Sequence, residues 1–113
     1  MSVKLNKIIN EIDGKIISEE IDIENIEVTG AYVSDLLSDV MGNAREGQVW
    51  ITIMKHLNVI AVASLAGMPA VIFSKNIKVD PHVIKKAQQE DIVLVSSPLP
   101  TFEVTGIIYN LLK

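Results

Sequence analysis

Two Ser-Asp pairs interrupt an otherwise apolar segment of the chain, and their side chains could bind a ligand or take part in a reaction. Ser34-Asp35 and Ser38-Asp39 lie four residues apart, so a helix would place Asp35 and Asp39 on one face. Two carboxylates could bind a hard cation or share acid-base work, but no His, Glu or third Asp stands at a spacing that completes a metal shell. The pattern therefore favours a solvated face and predicts neither a metal ion nor another cofactor. Ser34 has a clearer task, either as a helix N-cap or in contact with a ligand.

Polar and basic residues also follow three short apolar runs, "VWITIM", "AVIF" and "IVLV". If these runs are parallel strands, their carboxyl ends share one edge of the sheet, where ligands collect beside helix N-termini. The turn from Gly30 to Asp35 is expected to join the same edge, with Gly30 allowing an unusual backbone angle or a close approach. The candidate ligand-binding residues are Gly30, Ser34, Lys55, His56, Ser74, Lys75, Asn76, Ser96, Ser97 and Thr101.

Two lysines, several hydroxyls and helix N-termini would suit a small anion or a phosphate ester. The alternative is that polar strand ends have no ligand, because every parallel sheet has them. A nucleotide kinase of the phosphate-loop type is excluded by its missing parts. Gly14-Lys15 is followed by Ile16 instead of Ser or Thr, and no glycine stands five residues before Gly14.

Composition removes several other classes of function. The chain has no cysteine, which excludes disulfides, thiol catalysis, iron-sulfur ligation and cysteine zinc sites. A net charge of -4 without any basic run argues against nucleic acid. The longest apolar tract, residues 57–73, is broken by Gly67 and Pro69, and the first 15 residues lack the apolar region of a signal peptide. We therefore expect a cytoplasmic protein with no membrane or nucleic-acid partner.

The elements that would position the candidate residues follow from periodicity. Short β-branched apolar runs near 49–54, 70–74 and 92–96 are typical of parallel strands covered on both faces. Helix-length segments separate them, with Gly67 suited to a C′ position, Asp80 and Thr101 to N-caps and Pro81 to a first turn. The sequence predicts one α/β domain over residues 1–113, with a mostly parallel sheet of about four to five strands and helices on both faces.

Apolar residues exceed what one small sheet can hide. The hydrophobic fraction is 49% and the mean hydropathy is +0.35. The final helix carries apolar residues on more than one face, whereas packing on a sheet needs a single stripe. We therefore expect a homodimer whose contact is the final helix, the N-terminal helix or the segment Trp50 to Met54. The competing explanation is that the extra face docks onto a different protein.

Almost the whole chain resembles a known family. "GAYVSDLL", "VWITIMKHLNVIAVASLAGMPAVIFSKN" and "DIVLVSSPLPTFEVTGII" occur in the order typical of the DRTGG domain, which is also similar to the N-terminal domain of HPr kinase/phosphorylase. In that family an Asp-Arg pair ends one strand, Thr-Gly-Gly ends the next, and a "DTF"-like turn opens the last helix. The corresponding positions here hold Met54-Lys55, Ser74-Lys75-Asn76 and Pro100-Thr101-Phe102.

The resemblance implies a regulatory or dimerising module, because family members usually stand beside CBS or acyltransferase domains. Single-domain relatives are often labelled serine kinases of HPr, but the kinase half with its phosphate loop has no counterpart here. Similar short chains also accompany iron-only hydrogenase subunits, which implies an alternative role as an accessory subunit of a redox enzyme. The leading expectation is a non-catalytic regulatory or scaffold domain that binds a nucleotide or small phosphorylated ligand. A minimal enzyme using Lys55, His56 and Ser74 is the remaining alternative.

Overall fold

The computed structural model describes residues 2–113 as one α/β domain with seven strands and five helices. The strands are β1 (Val3–Lys4), β2 (Lys15–Ile16), β3 (Glu27–Val28), β4 (Gly30–Val33), β5 (Gln48–Thr52), β6 (Ala70–Phe73) and β7 (Val93–Ser96). The helices are α1 (Leu5–Glu11), α2 (Leu37–Asn43), α3 (Leu57–Leu65), α4 (Pro81–Gln89) and α5 (Thr101–Leu112). The fold class predicted from the apolar runs is confirmed.

The main sheet has five strands in the order β2-β7-β6-β5-β4. Strands β4 to β7 run parallel to one another, which confirms the predicted direction of the three apolar runs. The edge strand β2 pairs antiparallel with β7, and Lys15 lies opposite Ser96. Strands β1 and β3 form a separate antiparallel pair.

Side chains alternate between two cores on the two faces of the sheet. Trp50, Val71 and Leu94 contact a core that is covered by α2, α3 and α4. Val49 and Ile72 face the other core, which is covered by α1 and α5. Because β5 and β6 are buried on both faces, only nearly continuous apolar sequence satisfies them, and this explains the strength of the strand signal.

The predicted helix starts need correction at two serine or threonine positions. Helix α2 begins at Leu37 with Leu36 at its N-cap, so Ser34 does not cap it and Asp35 lies outside the helix. Asp35 and Asp39 therefore do not share a helix face. Thr101 is the first residue of α5 instead of its cap, because Pro100 occupies the N-cap.

Helix α4 begins as the sequence predicts, with Asp80 at the N-cap and Pro81 in the first turn, although the Asp80 side chain makes no capping hydrogen bond within residues 2–113. Gly67 follows α3 in a left-handed conformation with φ +72, as predicted for a C′ glycine. Within the same described residues, no helix is long and apolar enough to cross a membrane.

Candidate ligand-binding rim

Four segments follow the carboxyl ends of the parallel strands and lie at one end of the sheet. We call residues 34–36, 53–56, 74–76 and 97–101 the rim. Ser96, the last residue of β7, borders it, and the rim contains eight more of the ten predicted residues. Gly30 is the exception, because it begins β4 opposite Gln48 and lies at the amino end of the sheet. The expectation that Gly30 joins the rim is wrong. The sequence pattern predicts Gly30 after a strand, whereas Gly30 is the first residue of β4.

The half of the rim after β6 and β7 is tied together by hydrogen bonds. The hydroxyls of Ser74 and Thr101 are 2.6 Å apart. The backbone N–H of Lys75 donates to the Leu99 carbonyl at 2.8 Å, and that of Asn76 donates to the Ser97 carbonyl at 2.9 Å. Two loops that are more than 20 residues apart in the chain therefore form one unit.

Ser97 has a structural task in this half. Its side chain is fully buried, its Oγ donates to the Ile12 carbonyl at 2.6 Å, and the Leu99 N–H donates back to it at 3.2 Å. Ser74 is also fully buried. These two hydroxyls, predicted to bind a ligand, therefore form hydrogen bonds within the protein.

Lys75 and Asn76 both adopt left-handed backbone conformations, with φ of 65 and 54. Such angles are uncommon for residues with a Cβ and cost on the order of 1–2 kcal/mol per residue, whereas glycine adopts them freely. The family resemblance places Gly-Gly at these two positions. The backbone geometry gives a physical reason for those glycines, and it shows that this chain holds a lysine where a glycine would be less strained.

The half of the rim after β4 and β5 carries a carboxylate. Asp35 Oδ1 accepts hydrogen bonds from Thr52 Oγ1 at 2.6 Å and from the Ile53 N–H at 3.0 Å. Ser34 Oγ accepts from the Leu36 N–H at 3.1 Å, and the Ser34 carbonyl accepts from Trp50 Nε1 at 2.8 Å. Asp35 therefore links the ends of β4 and β5 through hydrogen bonds.

Asp39 belongs to a separate cluster beside β4. Its Oδ1 accepts from the Tyr32 hydroxyl at 2.8 Å and from Asn43 Nδ2 at 3.1 Å. The hydrogen bond from Tyr32, with a smaller contribution from Ser34, holds the pKa of Asp39 below its ordinary value of 3.8. The same bond raises the pKa of Tyr32 above 10.0, because it favours the protonated phenol.

The remaining predicted residues have exposed side chains. Lys55 and His56 precede α3, and both side chains are exposed, as is that of Lys75. Lys55 and Lys75 lie at the same end of the sheet, as their strand directions predict. Among residues 2–113 no enclosed pocket forms and no three His, Asp or Glu side chains come together, so the rim is an open surface.

Sequence reasoning missed two partners in this region. Thr52 is buried and binds Asp35, and Tyr32 binds Asp39. Thr52 lies 17 residues from its partner, so no local spacing signals that pair. Tyr32 lies only seven residues from Asp39, but the two are on a strand and a helix that no single periodicity relates.

A scan against family models gives one decisive result. The model of the DRTGG domain matches residues 7–111. This chain belongs to the DRTGG domain family. A search of the curated proteins found no match to this chain.

A solved structure shows the same fold at low sequence identity. It is the crystal structure of the CBS and DRTGG domains of the regulatory region of Clostridium perfringens pyrophosphatase, complexed with the activator diadenosine tetraphosphate. The TM-score is 0.71 and the identity is 16%, over 93% of this chain and 45% of that one. The chain therefore spans less than half of that regulatory region, and the likeness concerns the fold.

Proposed function

We propose that this DRTGG domain is a non-catalytic regulatory domain that works as a homodimer. Its ligand is a nucleotide or a small phosphorylated compound, bound at the half of the rim after β6 and β7. Family membership and the regulatory origin of the similar structure support the regulatory role. The nucleotide activator of that structure supports the ligand class by analogy alone.

The observation that carries the ligand proposal is the conformation of Lys75. A left-handed lysine is strained, and its N–H is bound to Leu99, so the backbone gains nothing from a long cationic side chain at this position. The strain is explained if the exposed ammonium group has a task on the rim. An anion is the natural partner of such a group.

Charge distribution favours the same half of the rim. Residues 74–76 and 97–101 contain no carboxylate, whereas the other half holds Asp35, which accepts a hydrogen bond from the Ile53 N–H, two residues before Lys55. Lys15, opposite Ser96 on β2, adds a second exposed cation beside β7. A phosphate group would therefore meet less repulsion beside Lys75 than beside Lys55.

Burial of Ser74 speaks against the enzyme alternative. A minimal enzyme would need the Ser74 hydroxyl as a nucleophile next to a base, but this hydroxyl is buried and lies 2.6 Å from Thr101 Oγ1. We expect purified protein to transfer no phosphate from ATP to HPr. Labelled HPr in a contaminant-free preparation would contradict this expectation.

Thermal-shift measurements with ATP, diadenosine tetraphosphate and inorganic phosphate test the ligand. We expect at least one of these anions to raise the melting temperature of the wild type. Lys75→Gly should raise the stability of the free protein by about 1 kcal/mol, because glycine relieves the left-handed strain, and should abolish the response to the anion.

Asn76→Gly is the matched control for this experiment. It relieves the same kind of strain at the next residue but keeps Lys75, so it should stabilise the protein and retain the anion response. An anion response that survives Lys75→Gly, or no response of the wild type to any of the three anions, would overturn the ligand proposal. A protein partner, as in the accessory-subunit alternative, would then become the better account of the regulatory role.

A further inference from the structure

The outward face of α5 carries two large exposed aromatic side chains. Phe102 is 88% exposed and Tyr109 is 66% exposed, one on each side of Gly106 in the chain. Successive helical residues turn by about 100°, so these three residues point in nearly the same direction. The whole chain has only five aromatic residues, and two of them lie on this solvent-facing strip. Aromatic side chains are the usual anchors of protein interfaces.

Gly106 lies in the middle of this strip, and no contact within the domain requires a glycine at this position. Apart from its chain neighbours and the backbone of its own helix, a Cβ at this position would meet no atom of residues 2–113 within 4 Å. Glycine inside a helix costs about 1 kcal/mol relative to alanine. A glycine that the domain does not need, placed between two exposed aromatics, indicates that another backbone approaches closely at this point.

The other two surfaces considered for self-association expose little apolar area, with Ile53 at 39% as the exposed residue of the segment Trp50 to Met54. The apolar residues of α1, including Leu5, Ile8 and Ile12, are fully buried against the sheet. Trp50 is also fully buried. Helix α5 combines a buried stripe, through Val104 and Ile108, with exposed aromatic residues. Helix α3 also has an exposed apolar strip, through Leu57 and Leu65, but it contains no aromatic residue and no glycine.

The strip is self-complementary. Phe102 lies four residues before Gly106 and Tyr109 lies three residues after it, so a second α5 crossing in the opposite direction at Gly106 would place each aromatic near its counterpart. Such a contact uses the same patch on both copies, as a two-fold axis requires. Glu103 is the only charged residue of α5, so the crossing brings no cluster of like charges together.

We propose that a second copy of this chain packs on this strip, with α5 antiparallel to α5 of the partner subunit and the two helices crossing at Gly106. Phe102 would then contact Tyr109 of the partner subunit. This assignment rests on the homodimer of the proposed function and names its surface. A 12-residue helix is about 18 Å long, so the α5 pair alone buries less than the roughly 800 Å² per partner of a standard interface. We therefore expect a dimer that dissociates on dilution.

Sedimentation equilibrium over a series of protein concentrations tests the surface. The wild type should form a dimer, and Phe102→Glu should shift it to the 12.4 kDa monomer, because two carboxylates would enter an apolar contact. Leu65→Glu is the matched control, since Leu65 is 78% exposed but lies at the end of α3, on the opposite face of the sheet. It should leave the dimer intact.

Substitution of the glycine gives a readout that loss of folding would not mimic. Gly106→Ala should raise the melting temperature of the monomer, because alanine favours the helix, and weaken the dimer at least tenfold, because the Cβ separates the helices. Gly42→Ala in α2 is the control, since a Cβ there also meets no atom of residues 2–113 within 4 Å apart from its chain neighbours and its own helix backbone. It should stabilise the domain without changing dimer affinity.

The outcomes distinguish failure of the proposed α5 surface from failure of the proposed homodimer. A wild-type dimer that survives both Phe102→Glu and Gly106→Ala would overturn the α5 assignment and leave the homodimer standing on another surface. A wild type that stays monomeric at the highest concentration would overturn both proposals. Dimer loss in the two α5 variants with retention in the two controls supports the assignment.

Discussion

At the scale of single residues, buried hydroxyls hold together segments that are distant in the chain. Ser97 joins the end of β7 to the end of α1 through the Ile12 carbonyl, and Asp35 joins the segments after β4 and β5. The Ser97 bond is buried and shielded from water, whereas Asp35 is an exposed residue whose bond to Thr52 is only partly buried. These bonds link the segments of the rim to one another and to the end of α1.

Ser97→Ala should destabilise the domain by about 1–3 kcal/mol, because the Ile12 carbonyl and the Leu99 N–H would lose their buried partner. Urea unfolding followed by circular dichroism measures the change. Ser96→Ala is the neighbouring control, and since Ser96 is only half-buried we expect a much smaller effect. Equal effects of the two substitutions would contradict the assigned role of Ser97.

The Tyr32–Asp39 pair predicts a dependence of stability on pH. The pKa of Asp39 is lowered in the folded state, so its contribution is present above the unfolded value of about 4 and is lost as the pH falls through the folded value. The pKa of Tyr32 is raised, so its contribution holds below about pH 10 and is lost as the pH rises further.

An NMR titration of the Asp39 carboxyl checks this pair directly. We expect its pKa to lie below 3.8 in the wild type and to move upward in Tyr32→Phe, which removes the donor with the largest effect. Tyr109→Phe is a control, because Tyr109 is exposed on α5, far along the chain from this pair. An unchanged Asp39 pKa in Tyr32→Phe would refute the stated cause.

The sequence could predict which residues reach the rim far better than what they do there. Strand direction alone places Lys55, Ser74 and Lys75 at one end, because parallel strands share their carboxyl edge. It does not reveal that Ser74 is bound to Thr101, since the two are 27 residues apart. The hydrogen-bond partner of such a side chain depends on how the loops pack together, and no local sequence pattern indicates that packing.

At the scale of elements, strands were easier to predict than helix starts. Strands β5, β6 and β7 are buried on both faces, and this environment admits few sequences other than continuous β-branched runs. Helix starts depend on single residues. Ser34 and Thr101 have the right side chains for caps, but hydrogen bonds in the fold place the helix boundaries one to three residues away from the expected ones.

The predicted role of Gly67 at the C-terminal end of α3 is confirmed, and the stability of a variant can test it. Gly67→Ala should cost about 1–2 kcal/mol in unfolding free energy, because a side chain is strained at φ +72 and its Cβ would lie 3.0 Å from Glu46 Cγ. The double variant Glu46→Ala/Gly67→Ala removes the contact with Cγ but keeps the one with the Cβ of residue 46 at 3.2 Å and the backbone strain. We expect it to recover only part of the loss, and full recovery would assign the cost to the contact.

At the scale of the whole molecule, two helical layers cover one sheet unequally. Helices α2, α3 and α4 cover one face, whereas only α1 and α5 cover the other. Helix α5 packs over β4 and β5 at one side of this thinner layer. An apolar strip that faces solvent on a layer of two helices is a natural place for a symmetric contact.

The melting temperature should therefore depend on protein concentration. Association of folded chains stabilises them by mass action, so a roughly 100-fold increase in concentration should raise the wild-type melting temperature by a few degrees. Phe102→Glu should remove this dependence while Leu65→Glu keeps it. A wild-type melting temperature that is independent of concentration would contradict a dissociable dimer.

The edge strand β2 has a consequence for how the protein is made. Lys15 and Ile16 pair with Ser96 and Val95, and the Ser18 hydroxyl accepts its hydrogen bond from Leu94, 76 residues later. During synthesis the amino-terminal segment must therefore wait until about 80 further residues have been added, which takes roughly 4–16 s at about 5–20 residues per second. Throughout that interval the isoleucines of α1 lack the strand that they finally cover. The apolar face of α1 is therefore exposed during this interval, and we expect chaperones to bind this segment until β7 has been made.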